Sequence, residues 1–89
     1  MRTKKPIDKK QVAPELSAAE VEKILKKIGK AIKAKRKQQS SLDNFAYEVN
    51  ISRSALARYE AGGDMLLSSF IKVLYGLKIN PDDFLKEIK

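Results

Sequence analysis

The sequence contains no cysteine and no histidine. Without cysteine there is neither a disulfide framework nor thiol chemistry. Without histidine the chain lacks the usual general base at neutral pH and the commonest metal ligand. No apolar run approaches the roughly 18 residues that a membrane-spanning helix needs. The first residues show no apolar segment of a secretory signal. A cytoplasmic protein without a membrane partner is therefore expected. No stretch alternates apolar and polar residues as a strand does. The acidic residues fall where helix starts and ion pairs account for them, so no nucleophile–base constellation stands out. An enzyme is not expected, and nothing calls for a cofactor, a metal or a small-molecule effector.

What the chain has in quantity is lysine. Its 89 residues make one small domain with a formal charge of +8. Residues 1–37 hold thirteen Lys/Arg against four Asp/Glu, and residues 38–89 hold six against seven. A basic field confined to one part of a chain is the electrostatic footprint of nucleic-acid binding, although a lysine-rich helix face also serves solubility alone. Residues 1–14 carry two prolines, five Lys/Arg and no apolar period, which reads as a flexible basic arm ahead of a domain over 15–89. Such an arm tracks phosphates or is an ordinary terminus.

Ser17 and Glu20 form a capping box that opens the first helix. Val21, Ile24, Leu25, Ile28 and Ile32 give it one apolar stripe and carry it towards Lys37. Gly29 is compatible with one long helix, at about 1 kcal/mol relative to alanine, or with a break into two.

Leu42 to Ala61 is the most informative stretch. Phe45, Ala46 and Val49 share one helical face, as do Leu56 and Tyr59 in a second short helix. Between them Asn50 can adopt the left-handed conformation that ends a helix, Ile51 turns inward, and Ser52 is a good N-cap. So short a link forces a sharp helix-turn-helix, with the small Ala46 at the crossing. The exposed start of the second helix carries Arg53 and Ser54, with Ala57 and Arg58 a turn later. Arginine in a first turn opposes the helix dipole by about 0.3–1 kcal/mol, which suggests an outside partner. Arginine to guanine O6/N7 is the commonest specific base contact.

Ser52 through Gly62 resembles the recognition-helix segment of the phage-repressor/Cro (Xre-type) helix-turn-helix family, and the likeness extends from about Ile28 to Leu85. Ala46, Asn50, Ile51, Leu56 and the Glu60-Ala61-Gly62 ending fall at the family's spacing. The resemblance implies a repressor-like DNA-binding bundle, often a homodimer on two half-sites. It also implies a structural ion pair between Glu60 and a basic residue near the end of the first helix, here Arg36, with Lys35 the alternative in a slightly shorter link. Many relatives place glutamine where this chain has Leu42.

The remainder supplies further helices. Ser68 or Ser69 can cap one running through Phe70, Ile71, Val73, Leu74 and Leu77, with Gly76 inside it or near its end. Met65-Leu66-Leu67 is expected over the core; the ring of Tyr47 either covers the core, the preferred reading, or leaves its hydroxyl to touch backbone. Asn80-Pro81-Asp82-Asp83 is a clear helix start.

The expected fold is therefore all-α: a compact five-helix, repressor-like helix-turn-helix bundle with an extended or additional N-terminal helix. Its expected core is Leu25, Ile28, Ile32, Phe45, Ala46, Val49, Ile51, Leu56, Tyr59, Phe70, Val73, Leu74, Leu77, Phe84 and Leu85. The expected function is sequence-specific reading of double-stranded DNA by a transcriptional regulator. Arg53, Ser54, Ala57 and Arg58 are the base-edge candidates. Ser41, Asn44, Lys33 and Lys37 are the phosphate candidates. The alternative is a protein-interaction module of antitoxin or adaptor type on the same fold.

Overall fold

A computed structural model describes residues 17–88. The expected basic arm over 1–14 lies outside them. Five helices follow one another: α1 (Ala18–Lys37), α2 (Leu42–Glu48), α3 (Arg53–Glu60), α4 (Leu67–Leu77) and α5 (Pro81–Ile88). The described residues contain no strand.

Most of the helix starts are written in the sequence. The Ser17 hydroxyl accepts from the Glu20 amide, and the Glu20 carboxylate accepts from the Ser17 amide, both at 3.1 Å. Ser41 and Ser52 cap α2 and α3 in the same manner, accepting from Asn44 and Ala55. Asn80 caps α5, its side-chain oxygen accepting from the Asp82 amide at 2.8 Å. The exception is α4. Its N-cap is Leu66, which offers no side-chain bond, and Ser68 and Ser69 fall inside the first turn. Met65 and Phe70 flank that turn and both pack on the core. An apolar staple thus fixes the start of α4 in place of a hydroxyl.

Three helices end alike. After α2, the Asn50 amide donates to the Tyr47 carbonyl and the Ile51 amide to that of Ala46. After α3, Gly62 and Gly63 bond back to Tyr59 and Arg58, and after α4, Lys78 and Ile79 bond back to Tyr75 and Leu74. This is the Schellman pattern, which requires a left-handed residue at the turn. Asn50 (φ 59°), Gly62 (φ 101°) and Lys78 (φ 61°) supply it. The third position was not legible, because lysine has no special ease in that conformation.

Gly76 is not the end of α4. A Cβ there would lie 2.4 Å from a methyl carbon of Val49 and 3.0 Å from the ring of Phe45. The glycine is a notch that lets α4 close on α2. Gly29 plays the same part in α1, which runs unbroken for 20 residues. A Cβ at Gly29 would come within 2.6 Å of the Tyr59 carbonyl oxygen and 2.7 Å of that of Glu60.

The core unites Ile32, Phe45, Ala46, Val49, Leu56, Val73, Leu74, Leu77 and Phe84, with Tyr59 also buried. Phe84 meets Phe70 edge to face, ring centroids 5.7 Å apart. Ile28, Ile51 and Phe70 are half-buried and pack against it, and Leu25 is half-buried without joining it. Some expected burials do not occur. Leu85 is 49% exposed, because α5 inserts Phe84 and the next side chain turns away by about 100°. Tyr47 is 87% exposed, since α2 spends its inner face on Phe45 and Ala46. Leu66 and Leu67 are also exposed, and only Met65 of that trio reaches inward.

Gly29→Ala separates propensity from packing. Helix propensity alone favours alanine by about 1 kcal/mol. The close carbonyls of α3 predict the opposite sign, a net loss of about 1–3 kcal/mol through overpacking. Urea unfolding of the two proteins decides: a higher midpoint for the alanine variant would mean that α1 and α3 are not in this contact.

Candidate nucleic-acid interface

The angle between α2 and α3 follows from the turn. Asn50 reverses the chain, the Ile51 amide is tied to Ala46, and Ser52 at once begins the next helix. The far end of α3 is then anchored to α1. Arg36 donates from Nε to one oxygen of Glu60 at 2.8 Å and from Nη2 to the other at 2.7 Å, a two-pronged bond. Nη1 reaches the Ser40 carbonyl at 3.3 Å, which ties the α1–α2 link to the same group. Both side chains are more than nine-tenths buried. The hydrogen bond to Glu60 raises the Arg36 pKa above its ordinary value; burial opposes this and the Glu60 charge adds to it. A raised folded-state pKa is stabilising below the unfolded value and is lost only as pH climbs through the folded one. The arginine therefore stays charged throughout the pH range in which proteins are handled. Lys35, the alternative partner, instead meets Glu87 of α5 at 3.0 Å.

This anchoring presents one side of α3 to solvent. Arg53, Ser54 and Arg58 are exposed and Ala57 is half-buried among them. The Arg58 guanidinium lies 5.6 Å from the centre of the Tyr59 ring. Ser41 and Asn44 are exposed at the start of α2. The Ser41 oxygen is occupied as a cap acceptor, which leaves its hydroxyl proton free to donate.

Lys33 and Lys37 are exposed on α1 and belong to a longer feature. Lys26, Lys30, Lys33 and Lys37 follow at four-, three- and four-residue steps, so they form one stripe along the helix. The stripe begins beside the end of α3, where a Cβ at Gly62 would lie 2.7 Å from Lys26 Cγ, and it ends four residues before Ser41.

Arg53 has a partner that no sequence spacing indicates. The Arg53 Nε donates to the carboxylate of Asp43, which joins the first turns of α2 and α3. Both groups are about two-thirds exposed. An exposed pair of this kind is worth about 0–1 kcal/mol, too little to hold Arg53 against a better partner. It leaves both terminal nitrogens of the guanidinium unengaged by Asp43. Ten residues separate the pair in sequence, and only the crossing angle of the two helices brings them together.

The geometry defines a helix-turn-helix inside an all-α bundle whose first helix buttresses the second helix of the motif. No protein-family model matches the chain, and no curated protein matches its sequence. Among solved structures it is similar to the wild-type restriction-modification controller protein C.Esp1396I. The identity is 21% and the TM-score 0.66, over 73% of this chain and 87% of that one. A point mutant of the same controller protein gives 22% identity with the same TM-score and coverage. At this identity the likeness is one of fold.

Removing one member of the buried pair should be severe. Glu60→Ala is expected to cost about 3–5 kcal/mol by stranding the Arg36 charge, whereas replacing both members with apolar residues (Arg36→Met with Glu60→Leu) should recover most of it. Thermal unfolding of the single and double variants checks this. A mild loss in the single variant would mean that the pair does not lock α3 to α1.

Proposed function

We propose that the protein is a transcriptional regulator of the phage-repressor/Cro type that reads double-stranded DNA. The observation that carries this is the exposed N-terminal half of α3, with Arg53, Ser54 and Arg58 free of the core, held by a buried two-pronged ion pair beside a lysine-striped helix. A short helix presented in this way fits a major groove with its first residues at base edges. Arg53 and Arg58 are the guanine readers, Ser54 a flexible donor or acceptor, and Ala57 a surface for a thymine methyl. Ser41, Asn44, Lys33 and Lys37 hold the phosphates on either side. The similar structures support a regulatory role, since both are controller proteins of a restriction-modification system.

In this reading Asp43 sets a threshold. Its carboxylate repels phosphate and holds Arg53 until an acceptor of better geometry arrives. A guanine edge offers two acceptors to the guanidinium, and a mismatched base offers fewer. The same pair also favours a second reading, a protein-interaction module, because an acidic group among the base-edge candidates opposes the approach of phosphate.

Selection from a random duplex pool at about 150 mM salt, with wild type beside Arg53→Ala, separates the two readings. A recovered motif that blurs at one or two positions in the variant, with a loss of about 1–3 kcal/mol, is the expected result. Lys33→Gln or Lys37→Gln should weaken all sequences alike and flatten the logarithmic salt slope by about one. Binding without any motif, abolished as salt rises, would leave only the basic helix in contact and favour a protein target for α3.

A further inference from the structure

A second surface lies on α1, α4 and α5. These helices frame an open groove of about 210 Å3 lined by Leu25, Ile28, Met65, Leu67, Phe70 and Leu85, none of them charged. Val21 and Ile24, 42% and 41% exposed, stand on α1 between its first residue and the groove. Neither joins the core. Val21 lies one helical turn from Leu25, and Ile24 one turn from Ile28, so the two residues form an apolar track that runs from Ser17 into the groove. A continuous apolar surface of this kind marks a contact site.

The size of the surface selects its occupant. The lining residues together with Val21 and Ile24 are few beside the roughly 20–30 residues a side of a standard interface between separate proteins. A segment already joined to the chain needs less, because its tether gives it a high effective concentration at the groove. Residues 1–16 lead directly into the track. The start of α1 sets their approach. The capping box of Ser17 and Glu20 is in place, and its usual companion is an apolar contact between the residue before the cap and the fourth helical residue. Those positions are held by Leu16 and Val21, and Val21 is where the track begins. Ahead of Leu16, Pro14 biases Ala13 to an extended backbone, a form in which peptides lie in apolar grooves. Val12, five residues before Ser17, then spans about 16 Å at ~3.1–3.4 Å per residue. Leu25 and Ile28, eight and eleven residues after Ser17, lie about 12 and 16 Å along α1 at ~1.5 Å per residue. The reach of the segment matches the distance to the groove.

We infer that residues 12–16 fold back along α1 and cover this groove within the same chain, Leu16 seated on Val21 and Val12 against Leu25, Ile28 and Leu85. The first turns of α1 thereby acquire a role, as the rail along which the segment returns. The contact covers apolar surface that the five helices leave bare. It also takes Val12 to Leu16 out of any contact with phosphate and holds Lys9 and Lys10 beside the α1–α4–α5 face.

The chain has no cysteine, so Lys10→Cys gives a single attachment site for a nitroxide label. Paramagnetic broadening of amide signals in the labelled full chain, without DNA, tests the proposal independently of any reading of α3. The amides of Leu25, Ile28 and Leu85 are expected to lose most of their intensity. Adding Val12→Ser to the labelled chain should restore that intensity severalfold, with helix content by circular dichroism unchanged. A mixture of labelled chain at natural isotope abundance with unlabelled, isotope-enriched chain should show no broadening at these amides, as a contact within one chain requires. Broadening that stops at the first turn of α1, or that is indifferent to Val12→Ser, overturns the proposal. Broadening reproduced in the mixture overturns it as well and assigns the groove to a segment of another molecule.

Discussion

The structure depends on one seam, where α1 meets the end of α3. Gly29 brings the two backbones to a separation that no side chain would permit, and two turns further along α1 Arg36 closes on Glu60 with two hydrogen bonds. Both features join α1 to the last residues of α3. Both charged side chains are buried at this seam, and each satisfies the other. A buried pair of this kind adds little net stability over an apolar substitute, but it admits one geometry and penalises the rest. Here that geometry is the aim of α3, and Nη1 of the same arginine also fixes the link into α2.

The rest of the bundle follows from small devices repeated. Serine hydroxyls open α1, α2 and α3, and Schellman turns close α2, α3 and α4. Each device satisfies backbone groups that the helix leaves unpaired, which matters in a domain whose helices are as short as seven residues. Gly76 repeats the notch of Gly29 at the contact of α4 with Val49 and Phe45. Both glycines sacrifice helix propensity for proximity, so packing rather than intrinsic preference decides where α1 and α4 lie.

Much of this was legible in the residues. The capping box at Ser17, the Asn50 turn, the Ser52 cap and the Asn80-Pro81 start are local signals with local outcomes. The Arg36–Glu60 pair is implied by resemblance to a family and not by spacing. The misses share a physical origin in three-dimensional context. Whether Gly29 breaks a helix or admits a neighbour depends on what lies opposite. Tyr47 and Leu85 are apolar enough for a core that had no room left for them. The Ser68–Ser69 pair outbids Leu66 on propensity alone, and the Met65–Phe70 staple reverses that order. The Arg53–Asp43 pair links two helices whose relative angle no sequence pattern states.

Two faces of the domain differ in character. Arg53, Ser54 and Arg58 form a polar face with Ser41 and Asn44 beside it, and Leu25, Leu66, Leu67 and Leu85 belong to an apolar one. The central claim is that the first face meets DNA through α3 itself and not merely through the charge on α1. The most direct measurement is an amide chemical-shift titration with a selected duplex at physiological salt. Shifts concentrated at Ser41–Asn44 and Ser52–Arg58 are the predicted result. Shifts confined to the lysine stripe from Lys26 to Lys37, with α3 unmoved, would contradict it and reduce the interaction to backbone charge alone.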